Sequence, residues 1–404
     1  MEEIAGGVTA PRGYRACGVC CGLKVSGKPD LALLVSDVPA NVAGVFTTNE
    51  VKAAPVLLSR QVVARGAARA VIINAGNANC CAPRDRENAE RMQAAAAAAL
   101  GLSPQEVLVC STGVIGHELP VEKIEAALPA AVSELRPEGG PGAALAIMTT
   151  DTRPKEIAVE VQLPEGSVRV GGMCKGSGMI APNMATMLGF LTTDAAVEAS
   201  TLQAMLAEIA GRTFNCVTVD SDTSTNDTLL LFANGAAPAA GAFAAGHPKR
   251  EENLRLLAEA VEHVCTYLAR EIARDGEGAT RLVTVTVRGA ANEAAADAVA
   301  RTIAESPLVK TAIFGRDPNW GRILMAAGRA GVPLDPARVT VALGDVTVFR
   351  HGLAVAFDPD AARAALTADE VQIQVDLGAG EATRRVWTCD FTYDYVKINA
   401  DYHT

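Results

Sequence analysis

The stretch Lys175–Asp194, KGSGMIAPNMATMLGFLTTD, places a small residue directly before a hydroxyl residue at Ala185-Thr186. Inside a chain a threonine hydroxyl is a poor nucleophile. At a new N-terminus its own α-amine serves as the base, and that amine has an unperturbed pKa of roughly 7.7–8.0, close to working pH. Small residues before Thr186 let it fold back and attack the preceding carbonyl. The resulting N→O acyl shift would cut the chain between Ala185 and Thr186 and leave Thr186 as a free nucleophile. Gly176, Gly178 and the Pro182-Asn183 turn signal also fit a plainer reading, a Gly-rich turn before a buried Met/Leu/Phe helix start. The dipeptide alone does not decide between the two.

Other polar clusters are candidates to complete such a site. VLVC (107–110) reads as a strand running into Ser111-Thr112-Gly113-Val114-Ile115-Gly116. A strand-end loop with Thr and two glycines can aim backbone N–H groups at one point, as an oxyanion hole requires, although turns of this composition are common. The loop Asn74–Asn79 is rich in Asn and Gly, which tolerate positive φ and offer side-chain amides; it also suits a turn between strand and helix. AIMTTDTRPK (146–155) carries hydroxyls at Thr149, Thr150 and Thr152. Asp220, Asp222, Asn226 and Asp227 suit either a cation or, more simply, polar anchoring. Cys17, Cys20 and Cys21 form C-x-x-C-C without a second pair or a nearby His, so no metal site is expected. There is no G-x-S-x-G elbow, no P-loop, no H-E-x-x-H and no G-x-G-x-x-G after a strand, and the five histidines share no motif. These absences add weight to Thr186.

The elements that must position these residues are strands and helices in alternation. Residues 1–60 read as short strands and turns, with apolar runs at 31–37 and 42–48, and a buried strand at 70–74. An Ala-rich helix follows over 86–100 and stops at Gly101. Ser103-Pro104-Gln105-Glu106 matches a capping box before the strand-like 107–110. Pro120 opens a helix, 137–142 reads as a flexible break, and strands are expected at 156–163 and 167–170. Helices over 195–211 and through Leu254, Leu257, Val261, Val264 and Leu268 follow. Two strands are expected within 215–232, one at 282–287, a helix at 291–305, strands at 339–349, 371–377 and 385–393, and an aromatic strand at the end. This is an α/β or α+β layout. Hydrophobic residues make up 49% but aromatics only 4%, so aliphatic side chains must fill the core. A net charge of −10 argues against nucleic acid or an anionic membrane as partner. No apolar run reaches ~20 residues, and the N-terminus lacks signal-peptide character, so a cytoplasmic protein with reduced thiols is expected.

Taken together, KGSGMIAPNMATMLGF, NAGNAN, STGVIG, IMTTDT, DSDTSTNDT, DGEGAT (275–280), GRDPNWGR (315–322) and the YVKINADYHT tail resemble the ornithine acetyltransferase family, the bifunctional glutamate N-acetyltransferases of arginine biosynthesis. The resemblance runs in order from residue 46 to the last. It implies a layered α/β sandwich of the type shared with β-peptidyl aminopeptidases, akin to but distinct from Ntn hydrolases. It also implies cleavage between Ala185 and Thr186 into an α chain, 1–185, and a β chain, 186–404, that stay together as an α2β2 assembly. Thr186 would take the acetyl group of N-acetylornithine and pass it to glutamate in a ping-pong sequence. Thr112 and Gly113 would form the oxyanion hole, and Thr149 or Thr152, Lys175, Glu277, Asn399 and Thr404 would contact substrate. No cofactor or metal is implied; acetyl-CoA would serve, if at all, as a second acetyl donor. Lys175 and Glu277 suit a substrate with a carboxylate and an ammonium, though on sequence alone each also reads as an ordinary loop charge. A hydrolase on the same scaffold and a non-catalytic amino-acid binder are the competing classes. The family's Asn loop usually continues Ala-Cys-Thr-Gly, whereas this chain has Cys80-Cys81-Ala82-Pro83.

Overall fold

The computed structural model of the chain describes residues 1–181 and 187–401. Among these residues one sheet has nine strands: β1 (Glu2–Ile4), β2 (Tyr14–Val19), β3 (Leu31–Phe46), β4 (Ala67–Asn77), β5 (Val107–Val114), β6 (Lys155–Leu163), β7 (Gly166–Lys175), β8 (Leu188–Thr193) and β9 (Thr228–Ala233). Their order is β1-β6-β7-β8-β9-β3-β4-β5, with β2 also paired to β3. A second sheet is built from β10 (Leu282–Ala290), β11 (Thr340–Leu343), β12 (Val346–Arg350), β13 (Leu353–Ala354), β14 (Glu370–Asp376) and β15 (Ala382–Cys389), in the order β13-β12-β11-β14-β10-β15. The helices are α1 (Ala54–Val63), α2 (Asp85–Leu100), α3 (Val121–Ser133), α4 (Gly140–Ala146), α5 (Ala199–Arg212), α6 (Arg250–Arg274), α7 (Glu293–Ala304), α8 (Pro307–Phe314), α9 (Trp320–Gly328), α10 (Pro359–Ala365) and α11 (Tyr393–Asp401).

Alternation along the strands of the first sheet sends neighbouring side chains to opposite faces. On one face Ala32, Leu34, Val42, Ile73, Leu108, Phe190, Leu230 and Phe232 pack with Val8, Tyr14 and α4. On the other, Leu33, Val35, Ile72, Val107 and Val109 meet α2 and α3, while Val170, Leu191, Leu229 and Leu231 meet α5 and α6. The apolar stripe of α6 (Leu257, Val261, Val264, Leu268, Ile272) also reaches Leu282, Trp387 and Cys389 of the second sheet. The opposite face of that sheet, Val283, Val285 and Val287, packs on α7 and α9. The result is a layered α/β sandwich with α6 between the two sheets.

Several expectations are corrected. The runs at 31–37 and 42–48 are one strand, β3, whose register shifts between Val35 and Ala40. Pro39 lacks an N–H, and such a bulge is where a strand tolerates proline. The first half of β3 pairs with β2 and the second with β9. The segment 137–142 is a 3-10 turn followed by α4, not a break. Within 215–232 only β9 forms; Val217 makes an isolated bridge to Trp387. The terminal aromatic segment is helix α11, with Tyr393 and Val396 exposed. Gly101 does end α2, at φ 68, donating to Ala97 and Ala98 carbonyls. The capping box of Ser103 and Glu106 holds a short 3-10 turn ahead of β5.

Candidate functional site

Strands β4 and β5 run parallel, and their C-terminal ends carry the Asn loop and Thr112-Gly113 side by side. Gly113 belongs to the strand, not to a loop beyond it, and has φ 131. A Cβ there would stand 2.4 Å from the Gly76 carbonyl carbon and 2.5 Å from the Asn77 nitrogen. Only glycine fits so close to a neighbouring backbone. The asparagines of the loop are scaffolding. Asn74 donates to the Asn77 carbonyl (2.9 Å) and accepts from the Ser111 hydroxyl (2.6 Å), while Asn79 donates to the Asp85 carbonyl (2.9 Å). Asn226 reaches across from before β9, donating to the carbonyls of Ala78 (2.7 Å) and Ser111 (2.9 Å). Cys80 is buried in a small cluster with Ala53, Val56 and Ala78, and its sulfur lies 3.6 Å from that of exposed Cys81.

Lys175 ends β7. Its side chain is buried, and its ammonium donates to the Thr112 hydroxyl at 3.3 Å. Burial pushes the Lys175 pKa down, and Asp151 and Glu277 pull against that shift. Glu277, in the turn after α6, accepts a 2.8 Å hydrogen bond from the Asn399 side chain of α11. Thr112, Gly113, Thr149, Lys175, Glu277 and Asn399 thus line one cavity of about 100 Å3, with Gly178, Met179, Ser224 and Asn226. Six of the oxyanion-hole and substrate-contact positions implied by the resemblance converge there from segments far apart in the chain. A larger groove of about 640 Å3 between α1 and α2 contains none of them. Thr152 does not line the cavity; its hydroxyl donates to Asp275 and it faces a groove on the far side of the Asp275–Gly278 turn. Ala185, Thr186 and Thr404 lie outside the described residues.

The acidic cluster 220–227 anchors backbone. Asp220 accepts from the N–H groups of Met179 (2.6 Å) and Ile180 (2.7 Å), and Asp227 accepts from that of Met187 (3.0 Å). One loop therefore grips the chain on both sides of residues 182–186. Burial raises Asp220 to about 6 and Asp227 well above the carboxylate range, against these N–H donors. Among the described residues no group of three or more His, Cys, Asp or Glu is placed to hold a metal ion.

Sequence reasoning passed over a buried ionic group behind the cavity. Lys155 donates to Asp151 (2.7 Å) and Asp275 (2.5 Å), with all three side chains almost wholly enclosed. Asp151 and Lys155 lie four apart in the hydroxyl-rich stretch 149–155, but Asp275, 120 residues beyond Lys155, gives no hint in sequence that it meets them.

The ArgJ family model matches residues 15–404. The arginine biosynthesis bifunctional protein ArgJ of Thermosynechococcus vestitus is 51% identical, covering 100% of this chain and 99% of that protein. Its counterpart in Symbiobacterium thermophilum is 50% identical, with 100% of each covered. Among solved structures, ArgJ of Bacillus halodurans is 43% identical and covers 54% of this chain and 100% of its own, with a TM-score of 0.49. The ornithine acetyltransferase of Mycobacterium tuberculosis, solved with ornithine, is 47% identical over 44% of this chain and 95% of its own, with a TM-score of 0.42. With a family model spanning nearly its whole length and relatives at half identity from end to end, the chain belongs to the ArgJ family.

Proposed function

We propose that this protein transfers the acetyl group of N-acetylornithine to glutamate in arginine biosynthesis, through an acetyl ester on Thr186 that self-cleavage after Ala185 makes available. The observation that carries this reading is the cavity in which Thr112, Gly113, Thr149, Lys175, Glu277 and Asn399 meet, a cation and an anion within one small polar space. Thr186 follows directly on the segment that supplies Lys175, Gly178 and Met179 to that cavity. Its hydroxyl attacks the acetyl carbonyl of N-acetylornithine while the Thr186 α-amine takes the proton. Thr112 and the Gly113 N–H receive the developing oxyanion. Collapse breaks the amide C–N bond, the proton passes to the leaving amine, and ornithine departs. The amine of glutamate then attacks the ester, and its loss of a proton restores the threonine hydroxyl. Lys175 pairs with the substrate carboxylate, and Glu277, oriented by Asn399, with the side-chain ammonium. Thr149 and Thr404 complete the contacts. The two halves assemble as α2β2 in the cytoplasm, and acetyl-CoA is a second donor, as the name bifunctional borne by the relatives suggests.

Denaturing intact-mass spectrometry of freshly purified protein tests the first step. Two species are expected, one beginning at Thr186, and Thr186→Ala is expected to stay a single uncut and inactive chain. A fully active Thr186→Ala variant overturns the mechanism. Glutamate acetylation with N-acetylornithine or acetyl-CoA as donor then separates the two activities.

A further inference from the structure

We propose that Lys155 is the positioning residue of the substrate site, the single cation that ties together the three segments presenting Thr149, Lys175 and Glu277. The inference rests on the reading of that cavity as the substrate site. Lys155 opens β6, and its ammonium stands between Asp151 (2.7 Å) and Asp275 (2.5 Å). Each of those carboxylates holds a different part of the cavity wall. Asp151 accepts from the N–H of Thr149 (3.0 Å) and from the N–H of Gly176 (2.7 Å), the residue after Lys175. Asp275 accepts from the Thr152 N–H (3.1 Å) and hydroxyl, while its own carbonyl accepts from the Ser177 hydroxyl (2.6 Å). The Ser177 carbonyl in turn accepts from the N–H of Glu277 at 3.0 Å. A chain of short bonds therefore runs from Thr149 through Asp151, Lys155 and Asp275 to Glu277, and branches to the backbone beside Lys175.

The charges support the same role. Lys155 is the ion-pair partner of both Asp151 and Asp275, while Lys175 and Glu277 line the cavity. Asp151 stays ionised because Lys155 and Lys175 outweigh the burial that pushes it up, and it is held at about 2. Lys155 stays charged because Asp151 and Asp275 outweigh its own burial. A fixed, fully charged lattice of this kind holds its ligands in one geometry. No atom of Lys155 lines the cavity, so it acts on substrate only through the groups it holds.

Lys155→Met alone leaves two buried carboxylates without a cation, a change that endangers folding. The test therefore uses Lys155→Met/Asp275→Asn, which keeps the net charge, beside Lys155→Arg, which keeps the cation but cannot place one nitrogen between both carboxylates. Circular dichroism and melting establish which variants fold. In either folded variant KM for N-acetylornithine is expected to rise about tenfold or more with kcat changed less than about threefold. Glu277→Gln is added to both parent and variant, since residues acting as one unit do not add. Glu277→Gln is expected to raise KM about tenfold in the parent and less than about threefold in the Lys155 variant. Equal factors in both backgrounds, or an unchanged KM in both Lys155 variants, overturn the proposal. A Glu277→Gln change without effect in the parent instead overturns the substrate-site reading on which it rests.

Discussion

Gly178 gives the sharpest test of where Glu277 must stand. A Cβ on Gly178 would lie 2.3 Å from the Glu277 carboxyl carbon and 2.4 Å from each of its oxygens. Its φ is not in the left-handed region, and the nearest obstacles to an alanine there are the atoms of that carboxylate, the end of a flexible side chain. Gly178→Ala must therefore push the group back by about 1 Å, the gap between 2.3 Å and the 3.4 Å at which ordinary contact begins. The 2.8 Å bond from Asn399 breaks, and the carboxylate leaves the position where it would meet an ammonium. A hydrogen bond to a charged group contributes roughly 1.5–3 kcal/mol, so KM for N-acetylornithine should rise about 10- to 150-fold with kcat little changed. Steady-state kinetics with donor and acceptor varied in turn measures this, with a thermal melt to show that the fold persists. A KM within twofold of the parent refutes the argument that Glu277 holds the ammonium from this position.

Gly113→Ala meets backbone instead of a movable side chain, so it should cost about 1–3 kcal/mol of stability and about 100-fold or more in kcat; near-parental kcat would remove Gly113 from the oxyanion hole. Thr149→Val should raise KM, whereas Thr152→Val should lower the melting temperature through loss of its bond to Asp275, and the reverse pattern would exchange their roles. Asp220, raised to about 6 by burial, holds a proton in the folded state that the unfolded chain releases near its ordinary value of 3.8. Stability should therefore fall as pH rises from about 4 to 6, by at most roughly 3 kcal/mol, and Asp220→Asn should flatten that slope. Unfolding free energies at pH 4 to 7, measured with and without Asp220→Asn in the uncut Thr186→Ala chain, check this, and parallel profiles for the two proteins would count against it.

Much of the site was legible because its residues sit in polar, Gly-rich breaks between apolar strands. Thr112-Gly113 and the Asn loop stand out for that reason, and both end strands that the apolar pattern located. The purposes of the asparagines were hidden, because Asn74 and Asn226 satisfy buried backbone that only the tertiary fold brings near. Thr149 and Thr152 look alike in sequence, yet Asp275, contributed from the end of α6, turns one hydroxyl away from the cavity. The role of Lys155 was hidden for a similar reason: its second partner, Asp275, reaches it only through the packing of β6 against α6. The two halves of β3 were misjudged because exposed Asp37–Pro39 resembles a turn, while the ladders on either side keep the strand continuous.

The placement of β8 and β9 has a consequence for the lifetime of the protein. Both strands follow Thr186, yet they lie between β7 and β3, which precede it, paired from Val170↔Thr193 to Lys175↔Leu188 and from Asn41↔Ala233 to Phe46↔Thr228. The sheet cannot be completed until β9 has been synthesised, so the chain must fold intact. After a cut at Ala185-Thr186 the ladders still hold the pieces, but an unfolded pair no longer shares a tether. Refolding then becomes a bimolecular encounter between fragments with exposed strand edges, at a concentration far below the effective one a linker supplies. Processing would thus turn a reversible transition into a one-way loss, and make the working life of the enzyme a matter of unfolding rate instead of equilibrium stability.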